Sequence, residues 1–220
     1  MTPEAASIEI FFQDRIDAGR RLAAALAHLK NRDDVVVLGI ARGGVPVAVE
    51  VATALEAPLD IWICAKLCPP GSFSAIGCVA EDRDMVMDEV AMAGMRIPPG
   101  MLVEEIHRQR GLVKVRSGLY RQSCEPVSLE DKIVVIVDDG IASGVTIRAA
   151  LRGVARSRPA RRVVAAPVAA PEQLPRLAGD ADEFAILSMP SAFRSIDRSY
   201  MHFRQISDED VVRALQALKK

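Results

Sequence analysis

Residues 133–146 read IVVIVDDGIASGVT. An apolar run ends in two adjacent acids, Asp138 and Asp139, and passes into a loop of small residues. Two like charges side by side repel one another, and a strand end that could have packed is given over to them. Carboxylates only accept hydrogen bonds, so they suit the vicinal hydroxyls of a sugar. A divalent cation would also relieve the repulsion. The loop that follows offers the opposite chemistry. From Gly140 through Ile141, Ala142, Ser143, Gly144 and Val145 to Thr146 the backbone N–H groups can close around a phosphate. The helix that starts there adds its dipole, and Ser143 and Thr146 add hydroxyl donors. Dipole effects of this kind contribute about 0.3–2 kcal/mol, and each charge-assisted hydrogen bond roughly 1.5–3 kcal/mol. The loop has no lysine and no glycine spacing of a nucleotide-binding P-loop or dinucleotide fingerprint. The acids would repel a phosphate and must therefore face another part of the ligand. A sugar phosphate satisfies both halves, with its phosphate in the cradle and its diol against the acids. A strand ending in a polar turn, with Ser143 as helix cap, explains the acids alone, but not the acids together with a cradle.

Two further loops carry cations. ARGGVP follows the apolar run Val35 to Ala41 and offers Arg42 with Gly43 and Gly44, which let backbone come close to an anion. Leu59 to Lys66 is a second apolar run, ending in a lysine before a loop rich in Pro, Gly and Ser. Either feature alone is an ordinary turn or a solvated lysine. On one sheet edge with the acids, they suit a second, larger anionic group of the same ligand.

The elements that must position these loops follow from periodicity. Asp14 to Leu29 reads as an amphipathic helix with Ala18, Leu22, Ala25, Leu26 and Leu29 on one face. VPVAVEVATAL reads as a helix with Pro46 in its first turn. AIGCVAEDRDMVMD reads as a short hairpin with Glu81 to Asp84 at its tip. A long charged helix lies between Pro99 and Pro126, with Leu102, Ile106 and Val113 inward. After the 133–146 stretch come a helix with Arg148, Arg152 and Arg156 on a solvated face, strands at RVVAAPV and FAILSM, and a short helix near Glu172 to Leu177. The final helix opens on a capping box, Ser207 with Asp210, and Lys219 and Lys220 suit the far end of its dipole. Continuous apolar strands alternating with helices predict a three-layer α/β/α fold with a mostly parallel central sheet. Ligands bind such sheets outside the carboxyl ends of the strands, where all three loops lie.

The 220 residues fit one domain, 1–220. The formal net charge of -1 argues against a nucleic-acid coat. No apolar run approaches the roughly 20 residues of a membrane span, and the first fifteen residues do not read as a secretory signal, so a cytoplasmic protein is expected. Cys64, Cys68, Cys78 and Cys124 follow no metal-ligand spacing and read as reduced structural thiols. His28, His107 and His202 are scattered and define no triad or metal site.

VIVDDGIASGVT matches a pattern of two acids, three residues, Ser or Thr, Gly, one residue, and Ser or Thr, and so resembles the type I phosphoribosyltransferases. ARGGVPVAVEVA, AKLCPPGSFSAIGCVAE and VDDGIASGVTIRAAL resemble more narrowly a set of phosphoribosyltransferases of unassigned acceptor. The resemblance runs from QDRIDAGRRLA to QISDEDV and implies binding of 5-phosphoribosyl 1-pyrophosphate with Mg²⁺. On that resemblance Asp138 and Asp139 hold the ribose hydroxyls and meet the metal indirectly, through ligand or water. Residues 142–146 cradle the 5′-phosphate, and Arg42, with Gly43, contacts pyrophosphate across a peptide that is often cis in this fold. Lys66 reaches the pyrophosphate or its metal, and the loop Leu67 to Gly77 closes over the site. Relatives acting on 6-oxopurines carry Asp where this chain has Ala142, so hypoxanthine and guanine are not the expected acceptors. A small hood from parts of 67–125 and 190–206 would hold a nucleobase-like small-molecule acceptor, with Tyr200, Phe203 and Phe193 as stacking residues. Fold mates often pair as homodimers, but the residues here specify no interface. A sensor that binds the sugar pyrophosphate without turnover, and a sugar-phosphate hydrolase or phosphorylase, are the competing readings. The near-neutral charge speaks against a nucleic-acid-binding regulator.

Overall fold

The computed structural model describes residues 11–69, 75–81, 85–93, 95 and 97–218. The expected hairpin tip beyond Glu81, the middle of the expected closing loop and the terminal lysines lie outside the described residues.

Seven strands form one sheet: β1 (Val35–Ala41), β2 (Leu59–Leu67), β3 (Gly77–Ala80), β4 (Met85–Met87), β5 (Ile133–Val137), β6 (Arg161–Val168) and β7 (Glu183–Ser188). Their spatial order is β4-β3-β2-β1-β5-β6-β7. The β2-β1-β5-β6-β7 pairs are parallel, and β2-β3 and β3-β4 are antiparallel. The helices are α1 (Arg15–Ala25), α2 (Gly44–Leu55), α3 (Glu89–Met92), α4 (Pro99–Tyr120), α5 (Val145–Arg156), α6 (Gln173–Leu177) and α7 (Asp208–Ala217).

The central strands are buried on both faces, which is why they read as unbroken apolar runs. Their alternation divides the core. Val35, Val37, Val135 and Val137 face α1 and α2, joined by Leu22, Leu26, Val47 and Val51. Val36, Leu38, Ile40, Val134 and Ile136 face α5, which supplies Ile147, Leu151 and Val154. Each such fully buried side chain contributes about 1.5–3 kcal/mol. The single amphipathic pattern expected over 14–29 resolves into α1 and a separate 3-10 turn, Ala27–Leu29. Asp14 caps α1 by accepting from the Ile16 and Asp17 N–H groups, each at 2.9 Å.

The last helix carries the expected capping box at Ser207 and Asp210. The long α4 lies over β2 and is pinned at its carboxyl end. Arg121 pairs with Asp60, donates to the Ile61 carbonyl at 3.1 Å and meets Glu81 at 3.1 Å. The Tyr120 hydroxyl donates to Asp208 at the start of α7. No helix among the described residues is long and apolar enough to cross a membrane.

The chain leaves β1 for β2 on one side and returns to β5 on the other. Helices on opposite faces diverge there, so a crevice must open at the carboxyl ends of β1 and β5.

Candidate active site at the carboxyl edge of the sheet

At that crevice a cavity of about 1180 Å³ opens. Arg42, Gly43, Lys66, Asp138, Asp139, Gly140, Ala142, Ser143 and Thr146 all line it, so the three loops selected from the sequence meet in one place. Both stretches expected to form a hood also reach it, through Gln109 and Arg116 of α4 and through Phe193 to Asp197, Phe203, Gln205 and Ile206.

The loop after β5 is built for a tight turn into a helix. Gly144 takes φ 70°, a left-handed conformation that an L side chain adopts only with strain, and α5 begins at the next residue. Gly144, not Ser143, is therefore the residue that enters the helix. Ile141 and Val145 are buried in the core and anchor the loop from below, leaving Ala142, Ser143 and Thr146 on the cavity side.

The glycines after β1 serve a contact that their sequence does not announce. A Cβ on Gly43 would lie 2.2 Å from Asp139 Oδ2, and one on Gly44 would lie 2.6 Å from the Val137 carbonyl oxygen. The β1 loop packs directly on the acids, and only glycine permits that approach. The Ala41–Arg42 peptide bond is cis.

The two acids are both buried, yet their surroundings differ. Asp139 Oδ2 accepts from Arg15 Nε at 2.8 Å and pairs with Arg15 Nη2 at 2.7 Å. Arg15 opens α1, donates from Nη1 to the Arg204 carbonyl at 2.8 Å and lies 3.8 Å over the Phe203 ring. Among the described residues Asp138 has no such partner. Its Oδ1 accepts from the Asp139 N–H at 2.9 Å, and its Oδ2 receives a long bond of 3.4 Å from the Thr146 hydroxyl. Burial and the neighbouring Asp139 carboxylate push the Asp138 carboxyl up to about 8, against a partial offset from Lys66. The pair is thus one acid neutralised by a fixed guanidinium and one whose charge is costly until a donor-rich or cationic group arrives.

Arg15 was not among the residues selected from the sequence. The signal was present: Arg15, Ala18 and Leu22 fall on one helical stripe, so an arginine opens a face that is otherwise buried.

Two aromatic expectations are altered. Tyr200 is 6% exposed and does not line the cavity. Its ring lies 5.4 Å from Phe12 and 5.1 Å from Phe203, and its hydroxyl donates to the Asp139 backbone carbonyl at 2.7 Å. It braces the acid loop from behind and presents no face to an acceptor. Phe203 does reach the cavity, but one of its faces is taken by Arg15. Phe193 lines the cavity.

The arrangement can hold a phosphorylated, hydroxyl-bearing ligand between cradle and acids while cations flank its other end. Comparison with known proteins gives the family. The model of the family described as "Phosphoribosyl transferase domain" matches residues 10–75 and 89–188. Two curated Mycobacterium tuberculosis proteins, from strains CDC 1551 / Oshkosh and ATCC 25618 / H37Rv and provisionally named phosphoribosyl transferases, are each 40% identical over 203 residues. The alignments cover 91% of this chain and 45% of theirs, so the chain spans less than half the length of these relatives. The crystal structure of TT1426 from Thermus thermophilus is similar with a TM-score of 0.76 at 39% identity, covering 94% of this chain and 99% of that one. With the matched model spanning most of the sheet and all three loops, the chain belongs to the phosphoribosyl transferase family.

Proposed function

We propose that the chain is a Mg²⁺-dependent phosphoribosyltransferase that moves the 5-phosphoribosyl group from 5-phosphoribosyl 1-pyrophosphate to a nitrogenous, nucleobase-like acceptor and releases pyrophosphate. One observation carries the reading: a buried acid pair, a small-residue cradle and the cations Arg42 and Lys66 share a single cavity.

In this reading the donor's 5-phosphate takes the N–H groups and hydroxyls of Ser143 and Thr146. The ribose hydroxyls donate to Asp138 and Asp139. As the bond from the anomeric carbon to pyrophosphate breaks, the electron pair leaves on the pyrophosphate and positive charge grows on the ribose. The carboxylates then face that charge, and Arg42 and Lys66 face the leaving anion. The acceptor nitrogen closes the new bond to the anomeric carbon. Catalysis is mostly positioning and electrostatics.

Mg²⁺ fits the residues in one way. The described residues contain no group of three or more His, Cys, Asp or Glu side chains able to hold an ion, so they supply no closed metal cage. Asp138 and Asp139, meeting the ion through water or donor oxygens, suit an ion that arrives with the pyrophosphate. Bound there, it would neutralise leaving-group charge.

Titration calorimetry of 5-phosphoribosyl 1-pyrophosphate with and without Mg²⁺ tests the donor site, and saturable binding strengthened by Mg²⁺ is expected. Pyrophosphate release only in the presence of an acceptor base identifies a transferase, and release without acceptor identifies a hydrolase. Donor binding with no release across a panel of bases would support a sensor instead. Absence of binding in both conditions would overturn the reading.

A further inference from the structure

The long helix α4 brings a further cation to the cavity, which Arg15, Arg42, Lys66 and Arg194 also line. Arg116 lines it beside Arg42, and its side chain is 13% exposed. Arg116 Nε donates to Asp208 Oδ1 at 3.0 Å. Arg42 Nη1 lies 3.9 Å from the same oxygen, and the Tyr120 hydroxyl also donates to it. One carboxylate therefore faces two guanidiniums, and the corner keeps a positive charge. Among the described residues the Arg116 side chain has no other hydrogen-bond or ion-pair partner, so its terminal nitrogens remain donors without acceptors. Such a fork is built for carboxylate or phosphate oxygens.

A residue placed only to hold α4 on α7 would not need to line a ligand cavity. Tyr120 already makes that tie from the next turn of the same face. Gln109 lies two turns before Arg116 and also lines the cavity, so α4 presents a polar stripe to it.

We propose that Arg116 is a further leaving-group residue, binding the distal phosphate of the donor's pyrophosphate together with Arg42 and Lys66. The inference rests on the phosphoribosyl-transfer reading and adds to it a group from α4. Arg116 donates hydrogen bonds and transfers no proton. The carbon–oxygen bond at the anomeric centre breaks, its electron pair departs on pyrophosphate, and Arg116 stabilises the charge that accumulates there. Asp208 holds the guanidinium in place by its Nε, leaving the fork's far edge for the anion.

The test compares three probes by calorimetry on the wild-type chain, Arg116→Gln and Arg116→Lys, with melting curves to verify folding. Inorganic pyrophosphate and 5-phosphoribosyl 1-pyrophosphate carry the group in question, and ribose 5-phosphate lacks it. Arg116→Gln is expected to weaken the first two about ten- to hundredfold and to leave ribose 5-phosphate unchanged. Arg116→Lys keeps the charge and the fold but loses the fork, and is expected to fall between. Unchanged pyrophosphate affinity in Arg116→Gln would overturn the inference alone. So would an equal loss for ribose 5-phosphate, since that marks a structural role. A wild-type chain that binds none of the three probes would overturn the phosphoribosyl-transfer reading itself.

Discussion

Arg15→Met isolates the ion pair that holds the acid loop. The substitution keeps an unbranched stem of similar length and removes the guanidinium. Asp139 then loses contacts of 2.8 and 2.7 Å in a site where both side chains are about nine-tenths buried. Removing one partner from a buried pair costs about 3–5 kcal/mol, because the other charge is left uncompensated. The Arg204 carbonyl also loses its donor, and Phe203 loses the stacked cation, so the upper part of that range is expected. For a chain of this size about 1 kcal/mol lowers Tm by roughly 2–4 °C, so about 4–5 kcal/mol should appear as a drop of roughly 8–20 °C. Urea unfolding gives the free energy, with an unchanged m-value as the check that neither end state has altered. Asp139→Asn alone leaves Arg15 buried without its counter-charge and is also destabilising. The double variant removes both charges and should cost less than the two single changes together, with a coupling of about 1–3 kcal/mol. A cost below about 1 kcal/mol for Arg15→Met, or strict additivity in the cycle, would show that the pair is not what holds the loop.

Asp138→Asn should separate stability from function. The Asp138 carboxyl is raised in the folded chain, so its proton is bound more tightly there than in the unfolded chain. Its contribution to stability is full below the ordinary aspartate range and is lost as pH rises toward about 8. The variant should therefore melt higher than wild type at pH 8–9 and no higher at pH 4, measured in chelator, while donor binding disappears. A wild-type advantage at pH 9 would contradict the burial argument. Gly43→Ala places a methyl group 2.2 Å from Asp139 Oδ2 and should cost about 1–3 kcal/mol through forced displacement. It should also abolish donor binding by calorimetry. Full binding in Gly43→Ala would mean that the β1 loop is free to move away from the acids.

Much of this protein was legible in one dimension because its physics is local or periodic. Unbroken apolar runs at 35–41 and 133–137, and the largely apolar run 59–66, read as strands covered on both faces, and their alternation with helical patterns points to a mostly parallel sheet. The acids at 138 and 139 and the small-residue loop after them carry their chemistry in their own order. What a side chain does across the fold was not legible. Arg15 and Asp139 are separated by 124 positions, and no local pattern joins them. Tyr200 read as a candidate stacking residue of the hood, because its burial depends on Phe12 and Phe203 meeting it in the fold. Gly43 read as a way to approach an anion, while its immediate neighbour is a carboxylate oxygen of the adjacent strand's loop. Residue types and spacing determined which groups stand at the sheet edge. Tertiary packing alone decided which carboxylate is neutralised, which aromatic is sealed and which cations share the cavity, because burial and charge pairing depend on neighbours that the chain brings from far away.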